Sequence, residues 1–229
     1  MEARLDNTIA VIPSYNEVRT IGEIVRGIIS MGMTVLVIDD GSGDNTERVA
    51  LDNGALVIRQ KTNVGKGFSI RSGILHVLKK TNFEWMVILD GDGQHQVEDI
   101  LALMDATKTP DVDIVLGNRM LETKNMPPVR YLTNKFMSWM LSKMCGQYLP
   151  DTQCGFRLFG REALGKMRLI SDKYDIESEI LIEAAKNDLK IRSVPIRTIY
   201  GEEVSEIHPG RDTIRFIKLI LHYFSNTNK

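Results

Sequence analysis

Trp85-Met86-Val87-Ile88-Leu89-Asp90-Gly91-Asp92-Gly93-Gln94-His95 decides the fold. An unbroken apolar run passes straight into two carboxylates opened by glycines, and a helical pattern begins directly afterwards. Continuity without alternation suits a strand covered on both faces, the habit of a parallel sheet. The same rhythm extends on both sides. Thr8 to Ile12, Thr34 to Ile38, Ala55 to Arg59 and Asp113 to Leu116 are rich in Val, Ile, Leu and Met, and each is closed by Gly, Asp or Asn. Between them Ile21, Ile24, Val25 and Ile28 recur at helical spacing, as do Ile70, Ile74, Val77 and Leu78, and then Val97, Ile100, Leu101 and Met104. Strands joined by helices over residues 8 to 119 predict a parallel sheet with right-handed crossovers. In such sheets ligands sit beyond the carboxyl ends of the strands, and that is where the chemistry is expected.

After Arg119 the pattern changes. A polar stretch with Pro127-Pro128 leads to an aromatic and Met-rich helix from about Tyr131 to Met144, then to a loop running into Cys154-Gly155-Phe156-Arg157. Ile176 to Asn187 reads as a helix, Lys190 to Thr198 as a strand, and Asp212 to Phe224 as a terminal helix. No linker, low-complexity tract or repeat divides the chain. The expected fold class is therefore α/β, one Rossmann-like, mainly parallel sheet flanked by helices, in a single domain spanning 1–229.

Bulk properties narrow the function. The chain has 229 residues, 43% of them hydrophobic, enough for a full-sized core. With 29 basic and 30 acidic side chains its formal net charge is -1, which supplies no field for nucleic acid. No apolar run approaches the ~20 residues of a membrane-spanning helix. Met1 to Asn7 carries acids where a secretory signal would be basic, so secretion is not expected. Cys145 and Cys154 lack metal-ligand spacing and read as free thiols in a reducing, cytoplasmic setting.

Asp90 and Asp92, one residue apart at a strand end, can jointly hold Mg²⁺ or Mn²⁺, hard cations that accept water and substrate phosphate as their remaining ligands. Turns also favour Asp and Gly, so the motif in isolation fits a plain turn equally well. The acidic cluster Asp39-Asp40-Gly41-Ser42-Gly43-Asp44-Asn45-Thr46 closes the preceding strand. Asp39 and Asp40 can accept hydrogen bonds from a ribose or base, while Asp44 or Thr46 can cap the next helix. Pro13-Ser14-Tyr15-Asn16-Glu17 would suit one wall of a nucleotide pocket. Asn63-Val64-Gly65-Lys66-Gly67 is either a phosphate-binding glycine loop or a glycine turn with a solvated lysine; its spacing is not that of an ATP-binding P-loop.

In this order and spacing, together with Gly117-Asn118-Arg119 and Asp151-Thr152-Gln153-Cys154-Gly155-Phe156-Arg157, these elements resemble the family 2 glycosyltransferases of the GT-A fold. The similarity is strongest to the dolichol or polyprenyl phosphate mannosyltransferase group, and it covers nearly the whole chain. It implies an inverting, metal-dependent transfer of a hexose from a UDP- or GDP-sugar to an acceptor, foremost a polyprenyl phosphate. By that resemblance Pro13, Tyr15, Glu17, Ile38, Asp40, Lys66, Asp90, Gly91 and Asp92 bind the nucleotide sugar, and Asp90, Asp92 and Gln94 surround the metal. Arg119, Arg130 and Asn134 meet the acceptor phosphate. Asp92, Arg119 and Asp151 form the catalytic set, with Asp151 either the base for a hydroxyl acceptor or a residue that orders its loop. Residues 1–119 become the donor half and 120–229 the acceptor half.

One departure stands out. Relatives in the lipid-phosphate group often carry Ser-Lys where this chain has Ser205-Glu206, so either Arg197, His208 or Arg211 compensates or donor affinity is weak. Membrane contact would be peripheral, at the cytoplasmic face or through a membrane-protein partner. The stripes Ile214, Ile217, Leu221, Phe224 and Phe136, Trp139, Met140, Met144 are open to either lipid contact or core packing. Transfer to a saccharide hydroxyl, or a non-catalytic nucleotide-sugar-binding subunit, are the alternatives.

Overall fold

The computed structural model describes residues 3–121, 123 and 126–199. The expected terminal helix and the Ser205-Glu206, His208 and Arg211 positions lie outside them. Strands β1 (Thr8–Ser14), β2 (Thr34–Asp39), β3 (Leu56–Arg59), β4 (Trp85–Ile88), β5 (Ile114–Asn118), β6 (Arg157–Gly160) and β7 (Ile191–Pro195) form one seven-stranded sheet in the order β3-β2-β1-β4-β6-β5-β7. All pairings are parallel except those of β6, which runs antiparallel to β4 and to β5. The expected mainly parallel α/β sheet is present, with one addition. The loop leading to Phe156 is present, but Arg157–Gly160 directly after it, to which the sequence reading gave no element, is a short strand wedged between β4 and β5. Val87 and Val115 both register on Leu158.

Helices α1 (Ile21–Ser30), α2 (Thr46–Asp52), α3 (Lys66–Lys80), α4 (Ile100–Ala106), α5 (Pro128–Cys145), α6 (Arg161–Lys166) and α7 (Ile176–Lys186) fill the crossovers. The pattern beginning at Val97 splits into a 3₁₀ turn, Val97–Asp99, and α4. Successive strand residues point to opposite faces, so β1 sends Ile9 and Val11 to one core and Ala10 and Ile12 to the other. The first core is closed by α3, α5, α6 and α7 through Ile70, Ile74, Met137, Leu141, Leu164 and Ile180. The second is closed by α1, α2 and α4 through Ile24, Ile28, Ala50, Ile100 and Leu103. Burial on both faces is the reason these strands read as continuous apolar runs.

α5 starts with Pro128 at its first position, where a missing N–H costs nothing, and ends at Gly146 in the left-handed conformation (φ 63°). No helix among the described residues is long and apolar enough to cross a membrane.

Candidate active site at the strand ends

The loops after β1, β2 and β4 meet at one edge of the sheet. Asp40 N–H donates to the Ser14 carbonyl (2.9 Å), Asn16 N–H to Ser42 Oγ (2.9 Å) and Glu17 N–H to Thr46 Oγ1 (2.8 Å). Asn16 adopts φ 58° and accepts from Gly43 N–H at 2.8 Å. Asp44 accepts from Thr46 N–H at 2.9 Å, so the capping role falls to it. On the other side Gly91 packs against the first loop, since a Cβ there would lie 2.7 Å from Ser14 Oγ and 3.3 Å from Glu17 Cγ.

Of the residues assigned to the nucleotide, Tyr15 is exposed, Glu17 half-buried and Pro13 buried. Ile38 is different: its side chain is fully buried in the core against α3, so it cannot line an open pocket. Asp40 accepts hydrogen bonds from Val64 N–H (2.9 Å) and Gly65 N–H (2.7 Å), fastening the glycine loop to β2. Gly65 is required there. Its φ is 132°, and a Cβ would fall 2.3 Å from the Asp172 carbonyl oxygen.

That loop delivers Lys66, the first residue of α3, into the site. Its ammonium lies 2.7 Å from Asp90 Oδ1 and 2.7 Å from Glu177 Oε1, with the Tyr174 ring centroid at 5.9 Å. Lys66 is thus held between two carboxylates rather than solvated. Burial works against its charge, but Asp90 and Glu177 outweigh it and raise the pKa. Asp90 is the mirror case: burial pushes its carboxyl up, while Lys66 foremost, with Arg119, holds it below the usual range. Behind it His95 is buried against Phe156 (ring centroids 5.2 Å apart), its Nε2 3.9 Å from Asp90 Oδ2. Burial keeps this imidazole neutral, with a pKa of about 4, Arg119 and Lys66 adding to the effect and Asp90 opposing it. Gly155 also backs Asp90, since a Cβ there would stand 2.6 Å from Oδ2.

Asp92 is half-buried, and its Oδ1 accepts from Gln94 N–H at 2.9 Å. The Gln94 carbonyl in turn accepts from Ile199 N–H at 2.9 Å. Asp90, Asp92 and the Gln94 amide offer hard oxygen donors of the type that Mg²⁺ and Mn²⁺ take. Among the described residues no group of three His, Cys, Asp or Glu side chains could hold a metal. An ion here would complete its shell with water and diphosphate oxygens, as Mg²⁺ commonly does with one or two carboxylates.

Arg119, at the end of β5, forms a buried bidentate pair with Asp151: Nε to Oδ2 at 2.8 Å and Nη2 to Oδ1 at 2.9 Å, with the Arg119 N–H on Oδ2 at 3.1 Å. The Asp151 side chain has no solvent exposure. Burial alone would raise its pKa, but Arg119 lowers it. A sealed carboxylate already neutralised by a guanidinium is a poor proton acceptor, which corrects its reading as a candidate base. It positions Arg119 instead. Asn134 is buried, with Nδ2 making no hydrogen bond, and it shares a side of α5 with half-buried Arg130 and with Ser138, which accepts from Thr152 N–H at 3.0 Å. Arg197 is engaged by Asp99 (Nη2 to Oδ1, 2.9 Å).

Two residues have roles that the sequence reading did not assign. Glu177 is the second anchor of Lys66. Arg157 is fully buried and donates to the carbonyls of Thr152, Cys154 and Glu177, each at 2.8 Å, tying the Asp151 loop to α7. The sequence signal for Glu177 was slight: it is one of three glutamates, with Glu179 and Glu183, on different sides of a largely apolar helix that is buried nearly all round.

The chain is similar to known proteins over most of its length. The chain is 32% identical to the glycosyltransferase AglJ of Haloferax volcanii, over 97% of this chain and 73% of that protein. It is 30% identical to a UDP-N-acetylglucosamine–dolichyl-phosphate N-acetylglucosaminyltransferase of Methanococcus voltae, over 84% and 85%. Among solved structures, glucosyl-3-phosphoglycerate synthase of Mycobacterium tuberculosis with Mn²⁺ and UDP-glucose superposes with a TM-score of 0.74 at 20% identity, covering 92% of this chain and 77% of that one. That likeness shows a common GT-A-type fold. The family model for glycosyl transferase family 2 matches residues 9–168, a span holding every strand-end loop described above, and the chain belongs to that family of glycosyltransferases.

Proposed function

We propose that this enzyme transfers a hexose, with inversion, from a nucleotide diphosphate sugar to a polyprenyl or dolichyl phosphate at the cytoplasmic face of a membrane, residues 1–119 serving the donor and 120–229 the acceptor. The observation that carries the reading is the pair of charge clusters at the strand ends, the half-buried Lys66-Asp90-Glu177 and the buried Arg119-Asp151. Pro13, Tyr15, Glu17 and Asp40 flank the nucleoside, and Lys66 and Gly91 lie beside the diphosphate. Asp90, Asp92 and Gln94 would hold Mg²⁺ or Mn²⁺, which when bound supplies positive charge to the departing diphosphate. Arg119, fixed by Asp151, presents a guanidinium of set orientation to a phosphate, and Arg130 and Asn134 lie on the α5 side that meets the same loop.

The state of Asp151 favours a phosphate acceptor over a saccharide hydroxyl. A phosphate is anionic near neutral pH and needs no proton removed, whereas a hydroxyl needs a base. The names of relatives support the same acceptor: besides the Methanococcus protein, a dolichyl-phosphate β-glucosyltransferase of Saccharomyces cerevisiae is 30% identical over 81% of this chain. Uridine nucleotides are the first donors to try, because the Methanococcus enzyme is named for one. The test is incubation with radiolabelled UDP-sugars and GDP-mannose, Mg²⁺ or Mn²⁺ and a short-chain polyprenyl phosphate. The reading expects label in the lipid phosphate. Label released only to water or to saccharides contradicts it.

A further inference from the structure

We infer that the outer face of α5 docks on an anionic lipid bilayer. Val129, Leu132, Phe136 and Trp139 follow one another at helical spacing and remain 64%, 64%, 55% and 59% exposed, although α5 is packed on its other side. Contiguous exposure of large apolar groups marks a contact surface, whereas single exposed residues do not. Phe136 and Trp139 lie side by side, ring centroids 6.2 Å apart. Met140 and Met144, grouped with them in the sequence, turn inward and pack against the core.

Charge identifies the occupant. Pro128–Cys145 contains Arg130, Lys135 and Lys143 and no acidic residue, in a chain whose net charge is -1. Lys135 and Lys143 are exposed, so cations border an apolar ridge that includes a tryptophan, the composition that lies in the headgroup layer of an anionic membrane. The opposite side of the helix, with Asn134 and Ser138, meets the Asp151 loop. Docking the ridge would therefore set the site beside the bilayer. The inference deepens the lipid-phosphate reading and rests on it for this orientation.

Trp85 is buried and the chain has 2 tryptophans, so acrylamide-quenchable emission reports Trp139. Vesicles of phosphatidylcholine with one third phosphatidylglycerol should protect and blue-shift that emission. The double variant Leu132→Ser/Phe136→Ser should bind them about tenfold more weakly or worse. Absence of protection, or equal binding to pure phosphatidylcholine, overturns the inference. So does a Trp139 already shielded without vesicles, or a dimer that the variant disperses; these would mean that residues 200–229 or a second copy cover the ridge. Protein that docks yet labels no lipid phosphate refutes the acceptor reading alone. Protein that labels short-chain acceptor yet does not dock refutes the surface alone.

Discussion

Lys66 shows how single residues divide the work here. A lysine between two carboxylates leaves the trio with one net negative charge, so the site keeps an attraction for a cation while its own ammonium is kept in place. His95 completes the arrangement by remaining neutral: a charged imidazole beside Asp90 would cancel that residual negative charge. Its titration has a consequence for stability. In the unfolded chain a histidine protonates near pH 6.5, whereas in the native protein His95 stays neutral down to about 4. Across that window the unfolded state holds the extra proton, so stability is lost as pH falls, by roughly 3 kcal/mol at the acid end. Urea denaturation in EDTA at several pH values from 7 to 4.5 should show this fall in the wild type and a flatter profile in His95→Asn. Identical profiles would contradict the burial argument.

At the scale of elements, β6 is what closes the site. Running antiparallel between β4 and β5, it brings Gly155 against Asp90 while Arg157 binds the carbonyls on either side. Gly155→Ala should preserve the fold, because the intruding methyl meets a partly exposed carboxylate, yet it should displace Asp90. The expected result is a loss of transfer activity of tenfold or more, about 1.4 kcal/mol, with far-ultraviolet dichroism unchanged. Unaltered kinetics would show that Asp90 does not depend on this backing.

The parallel strands β1, β2 and β4 were legible because burial on both faces leaves an unbroken apolar run, and their ends marked the site. β6 was not legible, since Arg157-Leu158-Phe159-Gly160 has neither alternation nor length, and its partners lie far away in sequence. The pairing of Arg119 with Asp151 was hidden for the same reason: 32 positions separate them, and only the fold shows that the carboxylate is spent on the guanidinium. Ile38 lies within β2 and points into the core, a facing that the continuous apolar run of that strand does not reveal.

For the molecule as a whole, near-neutral net charge coexists with concentrated local charge: cations and carboxylates gather at the carboxyl edge of one sheet, and a cationic, apolar helix borders it. The central claim is that carboxylates after β4 hold a divalent ion against a nucleoside diphosphate. Electron paramagnetic resonance of Mn²⁺ tests it most directly, because the free aquo ion gives a sharp signal that is lost on binding. With UDP or GDP present, wild-type protein should remove that signal, and Asp92→Asn should leave it largely intact while retaining the native fold. Equal Mn²⁺–nucleotide binding by both proteins, or none by either, would contradict the account.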